Sequence, residues 1–243
     1  MVLFLTAWLP MAANSSPPAS GSGWAGDSAM ILCWALGGYL LGAVPFGLVL
    51  ARTIKGVDLR SLGSGNIGAT NAMRALGRPL GVLAFLLDFL KGYLPVFLVA
   101  QLALGVEAGG QPILELAAGT AAVLGHCFPV YLRFKGGKGV STACGALVAI
   151  DPLIFLLGGG VWLLVLALTR FVGLASIAMG LAFPFLTHWR TGGEPVEYWI
   201  GSVLIALLIL WRHRSNMSRM IAGQEPRIAS LGERRRPTET EAD

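Results

Sequence analysis

Long apolar stretches, separated by short polar loops, occupy most of this 243-residue chain. Hydrophobic residues make up 55% of it and charged residues only 13%, with a mean hydropathy of +0.69. A helix of about 20 apolar residues is long enough to cross the roughly 30 Å hydrocarbon core of a bilayer. The pattern predicts an all-α integral membrane protein and excludes an ordinary soluble domain.

About seven membrane segments are predicted, with the N-terminus outside and the C-terminus in the cytoplasm. Asp151-Pro152 breaks one long apolar run into a hairpin; a single kinked helix is the alternative, and it would carry the basic tail outside. The hairpin places all but Lys91 and Arg190 of the 18 Lys and Arg residues on the cytoplasmic side or at its border, as the positive-inside rule requires. The segments are 30–50, 80–104, 113–134, 140–150, 152–168, 171–189 and 196–211.

Three regions are expected along the chain: a flexible N-terminal extension (1–28), a membrane domain (29–228) and a disordered cytoplasmic tail (229–243). The extension is rich in Pro, Gly and Ser, which is typical of mobile segments. The sequence pI is about 9.4, but the basic residues sit in short loops between apolar segments, so no nucleic-acid partner is expected. There is no carboxylate cluster and no C-x-x-C spacing, so neither a metal nor a cofactor is expected.

A cationic, glycine-rich turn, RFKGGKGVST at positions 133–142, lies between two apolar segments. Glycines allow positive φ and a close approach of the backbone to a ligand, and successive N–H groups then form an anion-binding concavity. A helix beginning at Val140 directs its positive dipole end into the turn. These features favour phosphate binding; a plain basic cytoplasmic turn is the alternative. The candidate residues here are Gly136, Gly137, Lys138 and Gly139.

Two further polar segments flank the apolar ones. Residues 61–74 combine glycines, hydroxyls, amides and one arginine, which suits an oxyanion-rich ligand, although glycine and asparagine are also simple turn formers. Residues 212–226 form a basic juxtamembrane run whose alternative role is contact with anionic lipid. The candidates are Ser64, Gly65, Asn66, Gly68, Thr70, Asn71 and Arg74 in the first segment, and His213, Asn216 and Glu225 in the second.

Charged residues inside apolar segments need partners, because each costs about 2.5–3.5 kcal/mol at the bilayer centre. Asp88 and Lys91 are spaced i, i+3 and can pair on one helix face. A site element and a mutually neutralised structural pair are both possible, and the pairing favours the structural role. His126, two turns before the glycine-rich turn, is more typical of a hydrogen-bonded structural residue than of a base.

Together these segments resemble the PlsY family of bacterial membrane glycerol-3-phosphate acyltransferases. The resemblance covers roughly residues 30–228. Its motifs are SGNIGATNAMR (64–74), GHCFP through KGGKGV (125–140) and HRSN with GQE (213–216 and 223–225).

The resemblance implies acyl transfer from acyl phosphate to the 1-hydroxyl of glycerol 3-phosphate, giving lysophosphatidic acid and inorganic phosphate in the first step of phospholipid synthesis. It implies a bacterial cytoplasmic (inner) membrane location with a cytoplasmic active site, and neither acyl-CoA nor acyl-carrier protein as donor. The glycine-rich turn is assigned to the donor phosphate. The residues expected to hold glycerol 3-phosphate are Ser64, Arg74, Lys138, His213 and Asn216.

The family uses a substrate phosphate as the proton acceptor, while the residues themselves leave His213 open as a general base. An organophosphate transporter is the alternative function. It predicts interrupted helices in paired repeats near the midplane, whereas the polar motifs here crowd one face.

Overall fold

The computed structural model describes residues 23–102 and 112–228, and every regular element in these ranges is helical. Short 3₁₀ turns at Leu59–Ser61 and Val130–Leu132 join some of the helices. The α-helices are α1 (Gly23–Gly42), α2 (Phe46–Lys55), α3 (Ala69–Leu76), α4 (Arg78–Leu102), α5 (Pro112–Cys127), α6 (Val140–Ile150), α7 (Pro152–Thr169), α8 (Val172–Thr191), α9 (Val196–Arg212) and α10 (Arg214–Ile221).

The protein is a multi-pass membrane protein. Within the described residues, five helical stretches are long and apolar enough to cross a membrane, or up to six when α9 and α10, which meet at a bend of 49°, are taken together. α6 has only 11 residues, which is about 16 Å of helix. The count of seven segments and the sides of the termini stay predictions. The predicted extension 1–28 is described only from Gly23, where α1 begins, and the tail 229–243 lies outside the described residues.

Two breaks between helices have clear local causes. Pro45 lacks an N–H for the helix ladder, and the first apolar segment divides into α1 and α2 just before it. A break at Asp151-Pro152 is confirmed, because α6 ends at Ile150 and α7 begins at Pro152, while the hairpin across the membrane stays a prediction. The Asp151 carboxylate caps α7 by accepting a hydrogen bond from the Leu153 N–H at 2.8 Å, a standard N-cap interaction.

Glycines bring the helices into close contact, as small residues do in membrane bundles. A Cβ at Gly38 or Gly42 would collide with the backbone of α5, so α1 packs directly against α5. A Cβ at Gly92 or Gly145 would collide in the same way between α4 and α6. This packing holds the start of α6, and the glycine-rich turn before it, against α4 and α5.

The Asp88–Lys91 pair is confirmed as an ion pair buried in this packing. Lys91 Nζ lies 2.7 Å from Asp88 Oδ1, and both residues are almost completely buried. The same Nζ donates a hydrogen bond to the Val44 carbonyl at 2.8 Å, which the α1–α2 break leaves without a helical partner. The pair therefore ties the broken helix to α4.

Candidate active site

The glycine-rich turn is held by contacts with His126 and with Arg212. The Gly137 N–H donates to the His126 carbonyl at 3.0 Å. Arg212 Nε donates to the Gly137 carbonyl at 2.9 Å and its Nη2 to the Gly136 carbonyl at 2.7 Å. The guanidinium also lies over the Phe128 ring, with Cζ 5.4 Å from the ring centroid. The turn is thus a fixed shape rather than a loose cytoplasmic connection.

The three glycines are needed mainly for close contact within the protein. A Cβ at Gly136 would collide with the His126 carbonyl, and one at Gly137 with the His126 ring. Gly139, with φ of +81°, is the only one of the three in the left-handed region. The expected run of free N–H groups is also shortened, because the Gly137 N–H is already donated. The N–H groups of the first turn of α6, which begins at Val140, have no intrahelical acceptor and are the ones left for an anion.

His126 connects this turn to the buried ion pair. Its Nδ1 lies 3.6 Å from Asp88 Oδ1, and its side chain is 4% exposed. Ring and carbonyl together pack against Gly136 and Gly137, so the residue faces the turn rather than solvent, but its Nδ1 has no hydrogen-bond partner among the described residues, unlike the hydrogen-bonded histidine that was expected.

Lys138 belongs to a chain of polar contacts that joins the turn to α10. Its Nζ donates to Asn216 Oδ1. Asn216 Nδ2 in turn donates to Glu225 Oε1 at 2.6 Å, and Arg219 Nε donates to Glu225 Oε2 at 2.7 Å. Asn216 and Glu225 are buried, so each uses its polar atoms inside the protein. The chain fixes where the Lys138 ammonium points.

His213 lies where α9 ends and α10 begins, so the helix does not run straight through the segment. Its Nδ1 lies 2.8 Å from the Ile209 carbonyl. Because a carbonyl oxygen only accepts, Nδ1 carries the proton and Nε2 is left as an acceptor. Burial, together with the charge of Lys138, lowers the pKa of His213 to about 4. The imidazole is therefore neutral near pH 7 and suited to accepting a hydrogen bond from a hydroxyl group.

The first polar segment is organised by Asn71, which is 2% exposed. Its Nδ2 lies within 3.1 Å of three backbone carbonyls, those of Leu59, Leu62 and Asn66. Its Oδ1 accepts the Ser64 N–H at 2.9 Å. The amide therefore shapes the loop, while the side chains of Ser64, Thr70 and Arg74 are left exposed.

The three polar segments converge on one end of the bundle. Leu132, just before the glycine-rich turn, packs against the apolar cluster under the first segment, which contains Leu59 and Ile67. Burial lowers the pKa of Lys138 to about 8; Glu225 opposes this shift, while Arg219, Arg74 and Arg212 contribute to it. The charges of Arg74 and Lys138 therefore act on each other, so this end of the bundle is cationic.

Three contacts that shape the site were not predicted from the sequence. From the sequence, Arg212 and Arg219 were assigned only to a basic run, and His126 was interpreted only as a structural histidine. Their partners lie at the glycine-rich turn and at Glu225. A signal existed for Arg219, since it lies six positions before the acidic residue that it pairs with.

Within residues 23–102 and 112–228, no group of three His, Cys, Asp or Glu side chains could hold a metal ion.

Comparisons with known proteins identify the family of this chain. A family model described as "Glycerol-3-phosphate acyltransferase" matches residues 32–223. A relative from Aquifex aeolicus (strain VF5) with that name is 47% identical over 191 residues, covering 78% of this chain and 95% of the relative. Another from Shouchella clausii (strain KSM-K16) is 42% identical over 200 residues, covering 82% and 96%.

Two solved structures share the fold. They are the glycerol 3-phosphate form and the lysophosphatidic acid form of PlsY (YgiH), an integral membrane glycerol 3-phosphate acyltransferase. The first aligns with a TM-score of 0.74 at 43% identity, and the second with 0.72 at 42%; each covers 83% of this chain and 96% of the solved one. The resemblance noted from the motifs is confirmed: this chain belongs to the glycerol-3-phosphate acyltransferase family.

Proposed function

We propose that this protein transfers a fatty acyl group from an acyl phosphate to the 1-hydroxyl of glycerol 3-phosphate. The observation that carries the proposal is the cationic site in which Lys138, fixed by Asn216, stands beside the N-terminus of α6 and within electrostatic reach of Arg74. Both substrates are phosphates, and one phosphate must leave during the reaction. A fixed cationic site stabilises that charge without reorganising.

In the proposed arrangement, the first turn of α6 and Lys138 hold the donor phosphate, with Gly136, Gly137 and Gly139 giving the turn its shape. Arg74 and Ser64 hold the phosphate of glycerol 3-phosphate, and His213 Nε2 accepts a hydrogen bond from one of its hydroxyls. The exposed Thr70 and the loop residues Gly65, Asn66 and Gly68 complete this subsite. Asn71 and Glu225, whose polar atoms bond within the protein, position the others.

The reaction replaces a mixed anhydride by an ester. The substrate hydroxyl oxygen attacks the acyl carbon, the bond between that carbon and the phosphate oxygen breaks, and the hydroxyl proton ends on the released phosphate. A phosphate monoester has a second pKa of about 6, whereas the pKa of His213 is lowered to about 4. We assign the proton to the phosphate and a binding role to His213, whose Nδ1 is already bonded to the Ile209 carbonyl. The products are lysophosphatidic acid and inorganic phosphate, and this is the first step of phospholipid synthesis.

We place the protein in the bacterial cytoplasmic (inner) membrane with this site facing the cytoplasm, and we assign residues 29–228 to the membrane acyltransferase domain. The support is the clustering of Lys and Arg around the three polar segments, as the positive-inside rule predicts. The acyl chain then lies in the bilayer, and the water-soluble acceptor arrives from the cytoplasm.

The test is phosphate release by purified protein given palmitoyl phosphate with and without glycerol 3-phosphate, with palmitoyl-CoA as a parallel donor. We expect release that depends on glycerol 3-phosphate, formation of lysophosphatidic acid and no use of the thioester. Use of palmitoyl-CoA alone would reassign the donor. Turnover with neither donor, together with uptake of glycerol 3-phosphate into vesicles, would favour an organophosphate transporter.

A further inference from the structure

Arg212, the last residue of α9, holds two successive carbonyl groups of the glycine-rich turn. Its Nε donates to the Gly137 carbonyl at 2.9 Å and its Nη2 to the Gly136 carbonyl at 2.7 Å. Its Cζ also lies 5.4 Å from the centroid of the Phe128 ring and 5.7 Å from that of the Trp211 ring. The guanidinium is therefore bonded to the turn along one edge and held in place by aromatic contacts.

These bonds fix the direction of the next peptide group. The peptide bond between Gly137 and Lys138 is trans, so its carbonyl and its N–H point in opposite directions. Because the Gly137 carbonyl points to Arg212, the Lys138 N–H points away from it. Among the described residues this N–H has no hydrogen-bond acceptor, so it can join the first turn of α6 in binding an anion.

The preceding peptide group is held at both of its ends. Arg212 binds the Gly136 carbonyl, and the His126 carbonyl accepts the Gly137 N–H at 3.0 Å. Without Arg212, both carbonyls of the turn lose their donors, and glycine has no Cβ to oppose rotation of the backbone. A lysine in its place could not restore the contact, because its ammonium is a point charge, whereas the planar guanidinium offers two parallel N–H groups.

We propose that Arg212 is a positioning residue for the acyl phosphate. By holding the carbonyls of Gly136 and Gly137, it turns the Lys138 N–H toward the phosphate of the donor. The inference rests on the proposed function, in which Lys138 and the first turn of α6 hold that phosphate. Arg212 acts through the backbone of the turn, so its loss weakens binding of the donor and leaves binding of glycerol 3-phosphate unchanged.

The first test measures KM for each substrate in Arg212→Lys, which keeps the charge but not the paired donors. We expect KM for palmitoyl phosphate to rise about tenfold to a hundredfold, the range for losing one hydrogen bond to a charged group, and KM for glycerol 3-phosphate to stay at the wild-type value. A rise of equal size for glycerol 3-phosphate, or wild-type kinetics for both substrates, would overturn the inference.

Arg214→Ala is the matched control, because it removes an exposed arginine from the same segment, on the other side of His213. The Arg214 guanidinium contacts Trp211 and not the turn. Both KM values should therefore stay at the wild-type level in this variant. A selective rise in KM for palmitoyl phosphate in Arg214→Ala as well would assign the effect to the positive charge of the segment and overturn the inference.

The second test does not depend on turnover. Hydrogen exchange, followed by mass spectrometry of the peptide that covers residues 134–139, reports on the Gly137 N–H, which is protected by its bond to the His126 carbonyl. We expect faster exchange in Arg212→Lys than in Arg214→Ala, because the turn opens more often. Equal exchange in the two variants would overturn the inference. If the wild-type protein turns over no acyl phosphate, the proposed function fails, while the exchange result still decides whether Arg212 positions the turn.

Discussion

The polar loop at residues 59–74 and the basic run at residues 212–225 lie at the same end of the molecule but are built in opposite ways. Residues 59–74 form a self-contained loop around Asn71, and their candidate ligand-binding side chains, Ser64 and Arg74, are exposed. Residues 212–225 are joined to the distant glycine-rich turn by buried contacts through Arg212 and Asn216. The comparison separates two ways of presenting a group to substrate: Ser64 and Arg74 project from an exposed loop, whereas Lys138 and His213 are set in place by contacts inside the protein.

The largest effect is expected where an exposed group is removed. Arg74→Ala should lower kcat/KM for glycerol 3-phosphate by about a hundredfold or more, the scale for losing a preorganised charge-stabilising donor. The melting temperature should not change, because within the described residues the Arg74 side chain makes no hydrogen bond or ion pair. Arg78→Ala, which removes an exposed arginine four positions later at the start of α4, is the matched control. A lower melting temperature in Arg74→Ala would show that Arg74 also stabilises the fold, which would contradict its assignment as a group that serves only to bind substrate.

Asn71→Asp should affect both activity and stability. It replaces the Nδ2 donor by a carboxylate oxygen facing three carbonyls, at a cost of about 1–3 kcal/mol for unsatisfied buried groups. Activity should fall roughly tenfold to thirtyfold, since the disturbed loop carries Ser64 and Arg74. Thermal unfolding and kinetics measure both. Asn66→Asp keeps the acceptor for the Gly68 N–H and should leave the melting temperature unchanged.

Glu225→Gln is expected to have a smaller effect of the same kind. The amide retains an oxygen for Asn216 but loses the charge that pairs with Arg219. Because Arg219 is partly exposed, we expect a loss of about 1 kcal/mol in stability. Activity should fall up to tenfold through misplacement of Asn216 and Lys138. Glu194→Gln, at an exposed position, serves as the control; equal losses in both variants would contradict the positioning role.

The smallest effect is a dependence on alkaline pH. With its pKa lowered to about 8, Lys138 in the free protein is protonated below that pH and loses its charge above it. A neutral amine binds phosphate less well, so kcat/KM should fall about fourfold between pH 7 and 8.5. Lys138→Arg stays charged in this range, and its activity, though lower, should not show this decline. A decline of equal size in Lys138→Arg would assign it to another group.

The sequence predicted features that depend on local chemistry. The break at Asp151-Pro152 follows from an N-cap residue next to a proline at the start of α7, and the i, i+3 spacing of Asp88 and Lys91 places both on one helix face. Features that depend on tertiary packing could not be predicted from the sequence. Arg212 contacts carbonyls 75 and 76 positions away, and the bend at His213 has neither Pro nor Gly at its position.

The same division between local chemistry and tertiary packing explains which parts of the candidate site were predicted. Clustered small residues, amides and hydroxyls indicated a binding loop, but composition does not show that Asn71 turns its amide inward while Arg74 points outward. Glycine was expected to approach a ligand, whereas Gly136 and Gly137 approach His126. Both uses need a residue without a Cβ, so the sequence signal is the same.

Direct binding of glycerol 3-phosphate to the purified protein, without an acyl donor, tests the central claim most directly. The account predicts saturable binding that inorganic phosphate competes for, that Arg74→Ala abolishes at unchanged melting temperature, and that Glu225→Gln weakens. Binding that survives the loss of Arg74 undiminished would contradict the claim that the exposed groups of the first polar segment hold the substrate.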